Sequence, residues 1–193
     1  RYYGGGVTGT YKLSGWYNSR RFDDVRIATN GLSFADPNAD PDPLRHRGNF
    51  AFYGVIDQVL WKSPDAETTG RSLAAFARVV VAPEKNRNHV DFYADAGITY
   101  TGLLPGRKND IVGVAVAYAQ VSSSLRQLDR DMITFSGDPQ PVRSSELVIE
   151  ASYQTQLAPW LKVQPFAQWI VRPGGGEPDP DKPWRKIPKA TVF

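Results

Sequence analysis

The stretch from His89 to Thr101 constrains the fold of this chain more than any other. Val90, Phe92, Ala94, Ala96, Ile98 and Tyr100 alternate with Asp91, Tyr93, Asp95, Gly97 and Thr99. A strand sends successive side chains to opposite faces, so this segment is a ribbon with one apolar face and one acidic, hydroxylic face. Two environments accept it. Either the apolar face covers the core of a soluble sandwich and the polar face meets bulk water, or the apolar face meets hydrocarbon and the polar face lines the bore of a membrane barrel.

Composition bears on that choice at a few points. The 193 residues are 41% hydrophobic and 22% charged, which is globular rather than disordered. No apolar run reaches the roughly 18 residues of a membrane-spanning helix. A barrel is untouched by that absence, because alternating strands average their hydropathy away. Cysteine is absent, so there is neither a disulfide framework nor a thiolate metal site. The net charge of +3, with 23 basic and 20 acidic side chains interspersed, gives no footprint for nucleic acid. Arg1 opens directly on a glycine run, which reads as a start inside a longer protein.

Further alternating segments follow the same logic. Strands are expected at Gly9–Tyr17, Asn49–Trp61, Arg71–Val81, Asp110–Val121, Ser145–Leu157 and Leu161–Val171, with an eighth beginning at Ala190. The second is apolar on both sides apart from Asp57 and Gln58, so its faces stay unassigned. In the fifth, Val112, Val114, Val116 and Tyr118 oppose Gly113, Ala115, Ala117 and Ala119, a row of small residues that leaves room on its side. Pro165 falls inside Leu161–Val171, where it removes a ladder hydrogen bond and points to a bulge or a shifted register.

The connections alternate in length. Those at 20–47, 122–144 and 173–188 are long, those at 62–70, 102–109 and 158–160 are short, and only 83–88 departs. An up-and-down sheet puts alternate connections at opposite ends, and outer-membrane barrels make the loops of one end long. Leu125, Leu128 and Met132 predict one short amphipathic helix in 122–144. Tyr17, Trp61, Tyr100, Tyr118, Trp160 and Trp169 fall at expected strand ends, as interfacial girdles require. These features together favour the membrane barrel over the sandwich.

The polar faces then pair. Folding the sixth and seventh strands about Pro159 sets Gln154 against Gln164, Glu150 against Gln168 and Glu146 against Arg172. Opposite charges directly across such a pair contribute roughly 0.2–1 kcal/mol. Folding about 83–88 places Arg78 near Tyr93, diagonal to Asp91 and Asp95. A single such residue reads as a solvated surface charge. Collectively they make a wall of carboxylates, amides, hydroxyls and guanidinium groups, costly toward lipid and suited to hydroxyl-rich solutes. Arg78, Asp91, Tyr93, Asp95, Glu146, Glu150, Gln154, Gln164, Gln168 and Arg172 are therefore the candidate pore-lining and sugar-binding set.

Other motifs carry less. Gly4, Gly6 and Gly9 match a dinucleotide fingerprint in spacing only, with no strand before and no helix after. Asp36, Asn38 and Asp40 resemble the start of a calcium loop, but Pro41 replaces its glycine and Arg47 its closing glutamate. His46 and His89 are the two histidines, neither in a nucleophilic arrangement, and no serine sits in an elbow motif. No metal, cofactor or catalytic residue is expected.

At this point the residues resemble a known family. Gly9–Asn18, Asp57–Trp61, Ala75–Val79 and Ala82–Pro83 look like segments of the carbohydrate-selective porins of the OprB type. So do Val90–Gly97, Gly102–Arg107 with Asp110–Ala119, Glu150–Trp160 and Val163–Gly175. The resemblance implies an all-β fold: an antiparallel up-and-down transmembrane barrel of sixteen strands, of which residues 1–193 are a single region covering roughly the later half. Family members are about twice this length, so the start of the barrel and the closing strand are expected to be missing. It implies passive diffusion of mono- or disaccharides such as glucose across a bacterial outer membrane, with outer-membrane lipid around the chain and a homotrimer as one assembly. A soluble carbohydrate-binding β-sandwich and an outer-membrane barrel hydrolase using His89 are the alternatives.

Overall fold

A computed structural model describes residues 8–193. Gly4 and Gly6 of the glycine motif lie outside the described residues, and Gly9 opens the first strand. Strands β1 (Gly9–Ala28), β2 (Pro43–Lys62), β3 (Ser72–Val81), β4 (Val90–Thr101), β5 (Ile111–Val121) and β6 (Ser145–Ala158) each pair antiparallel with the next. Beyond β6 the chain forms β7 (Leu161–Val163) and β8 (Phe166–Val171), both on β6, and β11 (Ala190–Val192) extends the sheet from β8. Between them β9 (Pro178–Asp179) and β10 (Lys182–Lys186) make a separate two-stranded ribbon. One-turn helix α1 (Ala66–Thr69) sits in a short connection, and α2 (Ser123–Ser136) in a long one.

In the main sheet the strands lie side by side in chain order, so it is a meander. One cross-strand row reads Leu13, Gly54, Val79, Ala94, Tyr118, Leu147 and Val171. The adjacent row, on the opposite face, reads Lys12, Val55, Arg78, Asp95, Ala117, Val148 and Ile170. The register thus assembles the separate alternations into one apolar and one mixed polar face. Among the described residues no second layer covers the apolar side: Leu13 is 89% exposed, Ile98 54% and Val90 41%. A contiguous exposed apolar face marks a surface made for a membrane or a partner. In hydrocarbon it costs nothing, which removes the sandwich and agrees with a transmembrane barrel.

Several expectations need correction. Residues 20–47 are not mainly a loop: β1 continues to Ala28 and β2 begins at Pro43, forming a ribbon with Arg21 opposite Arg47 and Asp23 opposite Arg45. Its alternation is irregular because part of it packs on a local core: Asp24 and Ala28 are buried and Val25 packs against Val121, Leu125 and Leu128. Tyr17 consequently lies within β1, and Trp169 within β8, rather than at strand ends. Pro165 breaks the expected seventh strand in two without shifting it, since Thr155 pairs with Val163 on one side and Ser152 with Phe166 on the other. Both pairs keep the same register, and the amide of Tyr153 donates to the Pro165 carbonyl at 3.0 Å across the gap. The stretch 173–188 holds a 3₁₀ turn (Pro173–Gly175) and the β9–β10 ribbon.

The small hydrophobic core sits at the long-loop end. Ser122 caps α2 by accepting from the Leu125 amide at 3.3 Å. Leu125 and Leu128 are buried with Val121, and Val25, Phe34 and Ala35 of the hairpin pack against them. Met132, the third residue of the expected apolar stripe, remains 37% exposed. Arg26 of β1 donates to Asp131 of α2 at 2.7 Å, and the Val25 amide donates to the Asn86 carbonyl at 2.8 Å. The β1–β2 hairpin, the 82–89 turn and α2 therefore belong to one end of the sheet.

Candidate functional site

The mixed face is hollowed where its side chains are smallest. Gly97 of β4 and Gly113, Ala115, Ala117 and Ala119 of β5 form a floor that rises little above the backbone. Larger groups stand on both sides, and between them lies a cleft of about 490 Å³. Phe76, Arg78, Tyr93 and Asp95 line one bank; Glu146, Glu150 and Gln168 line the other. Phe76 leans over Gly97: a Cβ at that glycine would lie 2.7 Å from its ring. The space expected beside β5 is thus present.

On the first bank Arg78 stands directly opposite Asp95. Its Nε donates to Oδ1 at 2.9 Å and its Nη2 to Oδ2 at 2.6 Å, and the Tyr93 hydroxyl donates to the same Oδ2 at 2.7 Å. Asp95 is 7% exposed, whereas the Arg78 side chain is 54% exposed and presents its outer edge to the cleft. The fork geometry fixes the guanidinium plane, which a lysine would not do. The sequence reading set Arg78 beside Tyr93 instead. The ladder closes with the Ala82 amide donating to the Asp91 carbonyl, which lengthens the turn and moves the partner of Arg78 two residues along β4, from Tyr93 to Asp95.

On the second bank the expected pair of Glu150 with Gln168 is found in register, with the amide donating to Glu150 Oε2 at 2.6 Å. Glu146 and Arg172 do not meet. Glu146 Oε2 accepts from the Gly174 amide at 2.8 Å, while Arg172, held at φ +56°, donates from Nε to the Ser145 carbonyl and from Nη2 to the Ser145 hydroxyl. The left-handed backbone at Arg172 carries its side chain off the strand direction, which the alternation had assumed to continue. Among the described residues neither Glu146 nor Glu150 is in an ion pair.

The remaining candidates lie apart from the cleft. Asp91 is 5% exposed at a bulge between Val90 and Phe92, with Oδ1 accepting from Gln120 at 3.2 Å. Gln154 lies opposite Ile111 toward the short-turn end, and Gln164 is exposed in the gap between β7 and β8. His89 is exposed just before β4. Asp36 and Asp40 serve their own loop, accepting from the Asn38 amide and the Thr29 hydroxyl at 2.8 Å each.

Two polar clusters were not anticipated because their members are far apart in sequence. At the long-loop end His46 Nε2 lies 2.6 Å from Asp24 Oδ2 and 3.0 Å from Asn86 Nδ2, tying the hairpin to the 82–89 turn. At the short-turn end Asp110 accepts from Arg107, from the Tyr153 hydroxyl at 2.5 Å and from Thr155 at 3.0 Å. The Arg107 guanidinium first, and the Tyr153 hydroxyl next, hold its carboxyl well below the ordinary carboxylate range. At α2, burial works to raise the Asp131 carboxyl, but Arg26, Ser33 and Gln127 outweigh it and the net direction is down.

Comparison with known proteins agrees with this architecture. The model of the family described as carbohydrate-selective porin, OprB family, matches residues 1–193. Porin B of Pseudomonas aeruginosa is 28% identical over 176 residues, which is 88% of this chain and 38% of that protein. A solved structure of Pseudomonas putida OprB at high pH superposes with a TM-score of 0.77 at 27% identity, covering 88% of this chain and 41% of that one. The chain therefore spans about two fifths of the length of these relatives.

Proposed function

The chain belongs to the carbohydrate-selective porin family, OprB, and from that premise we propose that it walls part of a passive outer-membrane channel for small neutral sugars. The observation that carries this reading is the cleft: a hollow of about 490 Å³ on the face away from the exposed apolar side, edged by an arginine–aspartate pair and by glutamate and glutamine. Sugar hydroxyls donate and accept, so they exchange water for Arg78 and Tyr93 on one bank and for Glu146, Glu150 and Gln168 on the other. Gln154 and Gln164 extend the same wall toward the short-turn end, while Asp91 is buried and Arg172 is bound to Ser145, so neither is assigned to it. Binding stays weak, because a solute that remains bound blocks flux.

The floor supplies passage and the banks supply choice. The family is one of channels, and nothing in the cleft is arranged as a nucleophile with its base. Outer-membrane lipid meets the apolar face, and self-association would use that face. The experiment is liposome swelling with the full-length porin. Glucose and small disaccharides should enter faster than sugar-free osmolytes of equal size, and equal rates would remove the sugar preference.

A further inference from the structure

The mixed face holds a second hollow, of about 280 Å³, on the short-turn side of Phe76. Thr10, Asp57, Val59, Ala74, Phe76 and Thr99 line it. The register explains the grouping. Thr10 lies opposite Asp57, Asp57 opposite Phe76 and Phe76 opposite Gly97, so these four share one face in one cross-strand row. Val59, Ala74 and Thr99 form the next row of that face, one step toward the short turns. Ala74 sits between two larger neighbours there, which leaves the depression. Phe76 lines this hollow and the cleft beside Arg78 alike, so its ring divides the two.

The lining suits an uncharged, hydroxyl-rich ring. Threonine hydroxyls donate and accept, a carboxylate accepts, and the aromatic ring offers apolar surface to the C–H groups of a pyranose. A few polar groups set in an otherwise apolar hollow are what orient a small ligand. Asp57 is exposed and, among the described residues, is in no ion pair. No second carboxylate or histidine joins it in the lining, so a metal ion lacks ligands there. Lys12 and Arg78 stand in the same-face row on the long-loop side, flanking Val55, and offset its charge for a cationic solute.

We propose that this hollow is a second binding place for a single sugar ring, held by Asp57, Thr10 and Thr99 and separated from the cleft by Phe76. Solutes then cross the wall in two short steps, each weakly bound. This rests on the reading of the wall as a sugar passage. The test is glucose protection of thiol labelling in the full-length porin carrying one introduced thiol and no other. The 193 residues supply none of their own. Ala74→Cys reports the new hollow and Ala117→Cys the cleft. Glucose should slow labelling at both, more than a sugar-free osmolyte of equal size does. Adding Thr99→Val should raise the half-protecting concentration at Ala74→Cys about fivefold, the worth of one hydrogen bond, and leave that at Ala117→Cys in place. Protection at Ala117→Cys alone overturns the second binding place and spares the sugar reading; protection at neither overturns both. Protection at Ala74→Cys that survives Thr99→Val together with Asp57→Asn, or that the osmolyte matches, marks crowding only and overturns the proposal.

Discussion

Arg78 and Asp95 face each other across the β3–β4 ladder, joined through Nε at 2.9 Å and Nη2 at 2.6 Å. The aspartate is buried and the arginine half-exposed, so the pair shows the cleft a guanidinium edge and hides the carboxylate. Arg78→Ala leaves that carboxylate without its cation. Planar-bilayer recordings should show a shift toward cation selectivity, and unchanged selectivity would take Arg78 out of the passage. The stability cost is on the order of 1 kcal/mol, because solvent screens the exposed partner.

Glu150→Gln should shift selectivity the other way. The amide of Gln168 loses a charged acceptor, and one of the two cleft carboxylates outside any ion pair disappears. Reversal potentials in a salt gradient check the sign. Both variants moving in the same direction would mean that neither charge faces the permeating ions.

Ala117 lies in the floor, directly between Asp95 and Val148. Ala117→Leu fills the hollow without touching the apolar face. Sugar entry in liposome swelling should fall several-fold while the heat-modifiable mobility of the folded barrel persists. Ala96→Leu, on the opposite face, is the control and should leave flux alone.

The lowered Asp110 carboxyl links stability to pH. A depressed folded value stabilises the chain above the ordinary unfolded value of 3.8, and that contribution is lost as pH falls below it. Thermal unfolding followed from pH 6 down to about pH 2 should therefore fall more steeply in the native chain than in Asp110→Asn. Parallel curves would show that Arg107, Tyr153 and Thr155 do not favour the ionised form.

Leu128→Ala opens a cavity under α2, beside Val121 and Leu125. The expected cost is about 2–5 kcal/mol, felt by the cap and not by the ladder. Hydrogen exchange should accelerate in 123–136 and in the hairpin around Val25 and Phe34, with β4 and β5 amides unchanged. Acceleration throughout the sheet would make α2 part of one cooperative unit with it.

Most of the sheet was readable because a strand with one face in hydrocarbon has no freedom to hide its period. That holds for β4, β5 and β6, and it carried the register of Glu150 with Gln168 even past Pro165. It fails where the two faces of a strand do not differ cleanly. In the upper part of β1 exposed Arg20, Arg21 and Asp23 are followed by buried Asp24 and Ala28 with Val25 on the core, so Asn18 to Ala28 shows no clean period and reads as loop. β2 is apolar on both faces, so the inward setting of Val55 and Asp57 emerges only from their partners Arg78 and Phe76. The position of Arg78 depended on how the 82–89 turn closes, and a local hydrogen bond decides that. Arg172 depended on one left-handed residue, which alternation does not encode.

Gly97 has a consequence for how such a wall evolves. The ring of Phe76 rests where a methyl group would otherwise be, so the aperture on this bank is defined by a missing carbon. Even the smallest gain there, glycine to alanine, drives an aromatic disc toward the solute path. Calibre can therefore change abruptly at a position that never touches cargo.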